Sequence, residues 1–184
     1  MLLDFLFAEN RSIADGVATS GGARPTLPNV VLRTHENKPV RFYDDLIRGK
    51  VVIVSFMFTT CHGICPRTNA NLLKVQRALG ERVGRDIFMY SLSLDPAADT
   101  PKVLGNYART LGAKPGWTFL TGKPADLELL RRKLGFTDPD PKVDADKTQH
   151  GGLVVYGNDA AGRWSAMPAL VNADRIAEAV IRVM

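Results

Sequence analysis

Two cysteines set four residues apart carry the first chemical signal in this chain: Cys61-His62-Gly63-Ile64-Cys65, followed at once by Pro66. They are the only cysteines among 184 residues, so no multi-bridge framework can be built from them. A close pair can pass electrons by thiol–disulfide exchange or hold one soft metal ion between two thiolates. Positions i and i+4 share a helix face, which predicts two sulfurs side by side if a helix starts here. The positive end of such a helix favours thiolate, the form that ligates metal and attacks disulfides. Cysteine is also common as a small buried apolar side chain. The spacing is C-x-x-x-C rather than the C-x-x-C of thioredoxin-type reductases, which disfavours a standard dithiol reductase.

The flanking elements decide what the pair can do. Val51-Val52-Ile53-Val54-Ser55-Phe56-Met57-Phe58 is an unbroken apolar run of strand length, the pattern of a central strand covered on both faces. It runs into Thr59-Thr60-Cys61, and after Pro66 the apolar positions 70, 72, 73, 75, 78 and 79 keep helical spacing until Gly80. Ile87 to Leu94 reads as a second strand, broken by Asp95-Pro96. Thr100-Pro101 supplies an N-cap and a first-turn proline for a helix reaching Leu111 and closed by Gly112. Trp117 to Leu120 is a short third strand, and Pro124 to Leu134 a helix ended by Gly135. Phe136 to Gln149, with two prolines, four aspartates and no periodicity, is expected to be a long surface loop. Leu153 to Tyr156 and Arg163 to Ala166 form a hairpin around a Gly-Asn-Asp turn, and a last helix uses Ile176, Ala177, Val180 and Ile181.

With the Trp117 strand and the Pro124 helix set aside as an insertion, the order is the β-α-β-α-β-β-α of the thioredoxin core. The predicted fold is therefore α/β and thioredoxin-like, with that inserted strand-helix and an added N-terminal β-hairpin from Val30 to Arg33 and Val40 to Phe42. The dithiol then falls at the carboxyl end of a central strand, where open α/β sheets place their sites.

A third ligand could come from the three histidines, His35, His62 and His150. His150 ends the Asp-rich loop and leads into the Leu153 strand, where thioredoxin-like folds bring a cis-proline loop against the dithiol. His35 lies in the added hairpin and is expected to be solvated. His62 sits inside the dithiol loop, as an exposed bystander, as an aid to the thiolate or as a group that approaches the metal. Two thiolates and one imidazole suit Cu(I) and accept Cu(II) with a further donor, whereas structural zinc usually takes four protein ligands. Met57, Met89 and Met167 are read as packing residues.

Composition agrees with one globular domain: 45% hydrophobic and 23% charged residues. The net charge of +5 is scattered, which suits acidic partners and gives no nucleic-acid stripe. Residues 1–27 are read as a flexible leader and 28–184 as the domain. Met1 to Phe7 is apolar but interrupted by Asp4 and without a basic start, so it gives no clear signal peptide or membrane anchor.

At these residues the chain resembles the Sco/SenC family of copper-binding proteins of cytochrome c oxidase assembly, over about residues 28 to 184. The likeness is carried by Gly49-Lys50-Val51-Val52, Phe58-Thr59-Thr60-Cys61 through Cys65-Pro66, Ser93-Leu94-Asp95-Pro96 with Asp99-Thr100, Trp117 to Gly122, and His150. The resemblance implies copper bound by Cys61, Cys65 and His150, with Asp95 near the site and able to tune it. It also implies delivery to the oxidase subunit carrying the CuA site, exchange with other copper chaperones or thiol reductants, and a periplasmic or membrane-facing location. A thiol–disulfide oxidoreductase acting on the oxidase cysteines through Cys61 and Cys65, or a redox or copper sensor, remains open. Gly151-Gly152 after the histidine, where the family often has a small hydroxyl residue, and His62, where it more often has an acidic residue or proline, depart from the pattern.

Overall fold

Alternation along one strand organises the molecule. The computed structural model describes residues 26–146 and 152–184. β3 (Val51–Met57) is buried at every position. Val51, Ile53 and Met57 point to one face of the sheet and Val52, Val54 and Phe56 to the other, each into its own apolar cluster.

The first face is covered by α1 (Ile64–Leu79), α2 (Pro101–Leu111) and α5 (Ala173–Arg182), which contribute Leu72, Val75, Leu104, Ile176 and Val180. The second is covered by the wide helical turn Phe42–Ile47 and by α3 (Pro124–Lys133), through Phe42, Ile47, Leu127 and Leu130. Leu27 joins this second cluster, so the described chain is already packed at its start.

The other strands are β1 (Val31–Thr34), β2 (Pro39–Arg41), β4 (Ile87–Ser93), β5 (Trp117–Gly122), β6 (Leu153–Asn158) and β7 (Arg163–Pro168). They form one seven-stranded sheet in the order β2-β1-β5-β4-β3-β6-β7. β3, β4 and β5 are parallel, while β6 runs antiparallel to β3 and β1 antiparallel to β5. β4-β3-β6-β7 is the thioredoxin-like core. The inserted β5 extends it on one side, and the N-terminal hairpin joins the sheet through β5. The predicted architecture holds: thioredoxin-like, with an added hairpin and an inserted strand-helix.

Thr100 caps α2 by accepting from the Val103 amide at 3.4 Å, with Pro101 in the first turn as expected. Gly112 closes that helix in the left-handed conformation at φ 79°.

Several expectations change. β5 extends to Gly122 because its last residues pair with β1. Gly157 and Asn158 belong to β6, and the turn lies at 159–162. Gly157 sits in the strand because its partner Trp164 lies over it, where a Cβ would meet Trp164 Cδ2 at 2.5 Å. Within the expected loop 136–149, the short helix α4 (Pro141–Ala145) forms, capped by the Asp140 carboxylate on the Lys142 amide at 2.9 Å. Five residues are too few to show helical periodicity in sequence. The Arg131 guanidinium holds this segment from beneath, donating to Phe136 O at 2.6 Å and to both Asp144 oxygens at 2.7 and 2.8 Å. Among the described residues no helix is long and apolar enough to cross a membrane.

Candidate metal centre

β3 ends at Met57, and six residues lead from it to α1. Cys65 lies in the first turn of α1, but Cys61 precedes the helix, so the two do not share a helix face as the spacing predicted. They meet because the loop folds Cys61 back over the helix mouth. Gly63, at the N-cap, has no side chain with which to cap, and the Cys61 sulfur takes that role: it receives the backbone N–H groups of Gly63, Ile64 and Cys65. Both cysteines are buried, at 6% and 1% exposure, and their sulfurs are not joined.

This arrangement makes the two thiols unequal. Burial pushes the Cys61 thiol up, but the Cys65 S–H and the three amides offset this, leaving Cys61 below the ordinary cysteine value. Burial pushes the Cys65 thiol up to about 12, reinforced by the proton it shares with Cys61 and by the charge on Cys61. Cys61 is thus the readier of the two to ionise and Cys65 the one that keeps its proton longer.

The loop is anchored by a residue that the sequence analysis quoted without assigning it a role. Asp99 is fully buried, and one of its oxygens accepts from the Thr59 amide at 3.1 Å and the Thr59 hydroxyl at 2.5 Å. The other accepts from Ser93 Oγ at 2.6 Å. One carboxylate thus ties the segment before Cys61 to the end of β4. The signal in sequence was a lone Asp just before the Thr100-Pro101 helix start, which reads as helix-start chemistry. Asp95 is half-buried at the end of β4, where its N–H donates to Ser93 Oγ at 2.9 Å and its carbonyl accepts from the Asp99 amide at 2.9 Å. It therefore reaches the dithiol loop through the same Ser93–Asp99 link.

His150 lies outside the described residues. His62 is exposed beside the dithiol. His35 is not a solvated surface residue: it is half-buried, its Nδ1 accepts from the Phe119 amide at 3.1 Å, and its ring meets the Phe119 ring edge-on at 6.0 Å. It fastens the hairpin to β5. Met57 and Met89 are buried in the core. Among the described residues no cluster of three or more His, Cys, Asp or Glu side chains is placed to hold a metal. The described part of the centre is therefore the sulfur pair, whose donors fit a soft ion once the Cys65 proton leaves.

Chain order, sheet topology and a dithiol at the mouth of α1 define a thioredoxin-like protein whose pair sits at the carboxyl end of the central strand. Residues 30–184 match the SCO1/SenC family model, and the chain belongs to that family. An SCO1 protein homolog of Bacillus subtilis is 36% identical over 78 residues, a match that spans 41% of this chain and only 39% of that one. The copper-bound ScoI structure of Bradyrhizobium japonicum superposes with TM-score 0.64 at 23% identity, over 84% of this chain and 96% of that one. BsSco, described as a Sco-family cytochrome c oxidase assembly protein with a disulfide switch, gives TM-score 0.67 at 24% identity, over 86% and 95%. At these identities the two structural likenesses establish the fold.

Proposed function

We propose that this protein binds a single copper ion, Cu(I) or Cu(II), through Cys61, Cys65 and His150, and delivers it to the CuA site of cytochrome c oxidase. Asp95 tunes the centre from the neighbouring strand end. Residues 28–184 form the copper-binding domain and 1–27 a leader, in a periplasmic or membrane-facing setting, with other copper chaperones or thiol reductants as further partners. The observation that carries this reading is the pair of buried, unjoined sulfurs at the mouth of α1, where three amides favour ionisation of Cys61. The copper-bound ScoI relative supports the choice of ion. Loading takes the Cys65 proton, so binding releases protons at neutral pH. The test is copper titration of the reduced protein, followed by absorption and electron paramagnetic resonance. His150→Ala should weaken binding at least about tenfold and alter the Cu(II) spectrum. An identical titration removes His150 from the site.

One observation favours a second activity of the same pair, reduction of the oxidase's copper-site cysteines. A lowered Cys61 beside a raised Cys65 is the arrangement of an attacking and a resolving thiol. Cys61 thiolate attacks one sulfur of the partner disulfide and displaces the other as thiolate. Cys65 then gives up its proton, attacks Cys61 Sγ and releases the partner's second thiolate, so two electrons leave the dithiol as its disulfide forms. Such exchange should survive His150→Ala undiminished, whereas copper binding should weaken.

A further inference from the structure

A groove of ≈ 660 Å³ opens where the hairpin meets β5, on the sheet face that carries α2. Its base is set by register. Arg33 of β1 pairs with Thr121 of β5 and, on its other side, with Pro39 of β2, so the three side chains stand in a row across one face. Thr121 is 5% exposed, and its Oγ1 is buried with no hydrogen-bond partner among the described residues. A buried hydroxyl left in that state is costly and calls for an acceptor or donor from outside.

The surroundings state the charge of that group. Arg33 and Lys123 line the groove, and among the described residues neither is ion-paired; Arg33 reaches only Asn37, at 3.1 Å. The amino end of the eleven-residue α2 faces the same space through Thr100 and Pro101, with no acidic residue in its first turn. The adjacent Asp99 carboxylate is turned inward to Thr59 and Ser93. One carboxylate, Asp126, lies at the rim, so two cations and a helix end oppose a single acid. The rest of the wall is apolar and includes Pro39, Pro96 and Pro101.

Position adds the last argument. The groove lies at the carboxyl end of β5, and Pro96 follows the end of β4, the strand between β5 and β3. The Cys61 loop leaves the end of β3, so the groove and the dithiol share one edge of the sheet, two strands apart.

The geometry points to a docking groove for an acidic segment of a partner polypeptide: a Glu or Asp carboxylate lies between Arg33 and Lys123 and accepts from Thr121 Oγ1 once that side chain turns from its buried rotamer, with aliphatic neighbours against the prolines. A groove of this volume exceeds what a free carboxylate fills, and the chain's net charge of +5 suits an acidic partner. Docking there would set a partner beside Cys61. The site stands whether or not copper is the cargo.

The test is amide chemical-shift titration of the reduced full chain with acetyl-Ala-Leu-Glu-Leu-Ala-amide, its Gln counterpart, and sodium acetate. The Glu peptide should shift the Arg33, Thr121 and Lys123 amides and bind about tenfold more tightly than the Gln peptide. Thr121→Val should weaken that binding several-fold and raise the melting temperature of the peptide-free protein, since it removes an unpartnered buried hydroxyl. Unchanged alkylation of Cys61 in the variant verifies its fold. Absence of shifts up to about 10 mM Glu peptide, equal binding of the two peptides, acetate as effective as the peptide, or a lowered melting temperature in Thr121→Val each overturns the proposal.

Discussion

Cys61 and Cys65 differ in little but their neighbours, and those neighbours give them opposite acidities. Cys61 receives three amides and a thiol proton, while Cys65 is the more deeply buried. Alkylation of the reduced protein should therefore show one thiol reacting with an apparent pKa below the ordinary 9.0 and a second that stays protonated towards about 12. Cys61→Ser should remove the fast phase and Cys65→Ala should slow it, because Cys61 then loses a hydrogen-bond donor. The stability of the reduced protein follows. A folded pKa below the unfolded value favours folding as pH rises towards 9.0, where the Cys61 contribution is complete. A folded pKa above it gives a contribution present below 9.0 and lost as pH rises towards about 12, the Cys65 case. Denaturant midpoints should thus rise into the region of pH 9 and fall beyond it relative to a Cys61→Ser/Cys65→Ser double variant. A monotonic difference would contradict the assignment.

At the scale of elements, the dithiol loop is held by what lies at its two ends. One end is the helix whose amides the Cys61 sulfur caps; the other is the Thr59–Asp99–Ser93 link to β4. Asp99→Ala would leave an amide and two hydroxyls without their acceptor in a buried setting, and should cost about 2–4 kcal/mol of stability by chemical denaturation. Asp99→Asn keeps one acceptor and should cost less. In both, Cys61 alkylation should change in rate and pH profile, because the loop loses its anchor. A variant with wild-type thiol reactivity would show that the helix mouth alone fixes Cys61. The strand, the helix and the residues between them were legible in the sequence because each carries its own period or cap. Asp99 was not assigned a role because its three partners come from β4 and the β3–α1 loop, and no spacing rule connects them.

For the whole molecule, the inserted β5 and α3 do more than lengthen the chain. β5 carries the hairpin, fastened by His35 to Phe119, and α3 carries Arg131, which holds segment 136–146 through Asp144. Asp144→Ala would leave a guanidinium that is 6% exposed with Glu128 as its remaining carboxylate, and should cost about 1–3 kcal/mol. Hydrogen exchange should rise at residues 137–146 and stay unchanged in β3. Uniform protection would mean that the segment is fixed by other contacts.

The sequence by itself determined the α/β order, the thioredoxin-like core, the cysteine pair at a strand's end and the family, since these rest on periodicity, caps and ordered motifs along the chain. Only the tertiary structure decided that Cys61 caps α1 from outside the helix, that the two thiols are unequal, that Asp99 anchors their loop, and that Thr121 lies at the base of a basic groove. The first three depend on groups meeting in a low-dielectric interior, where distance and desolvation, rather than residue type, set the chemistry, and the groove depends on strand register bringing distant side chains to one face.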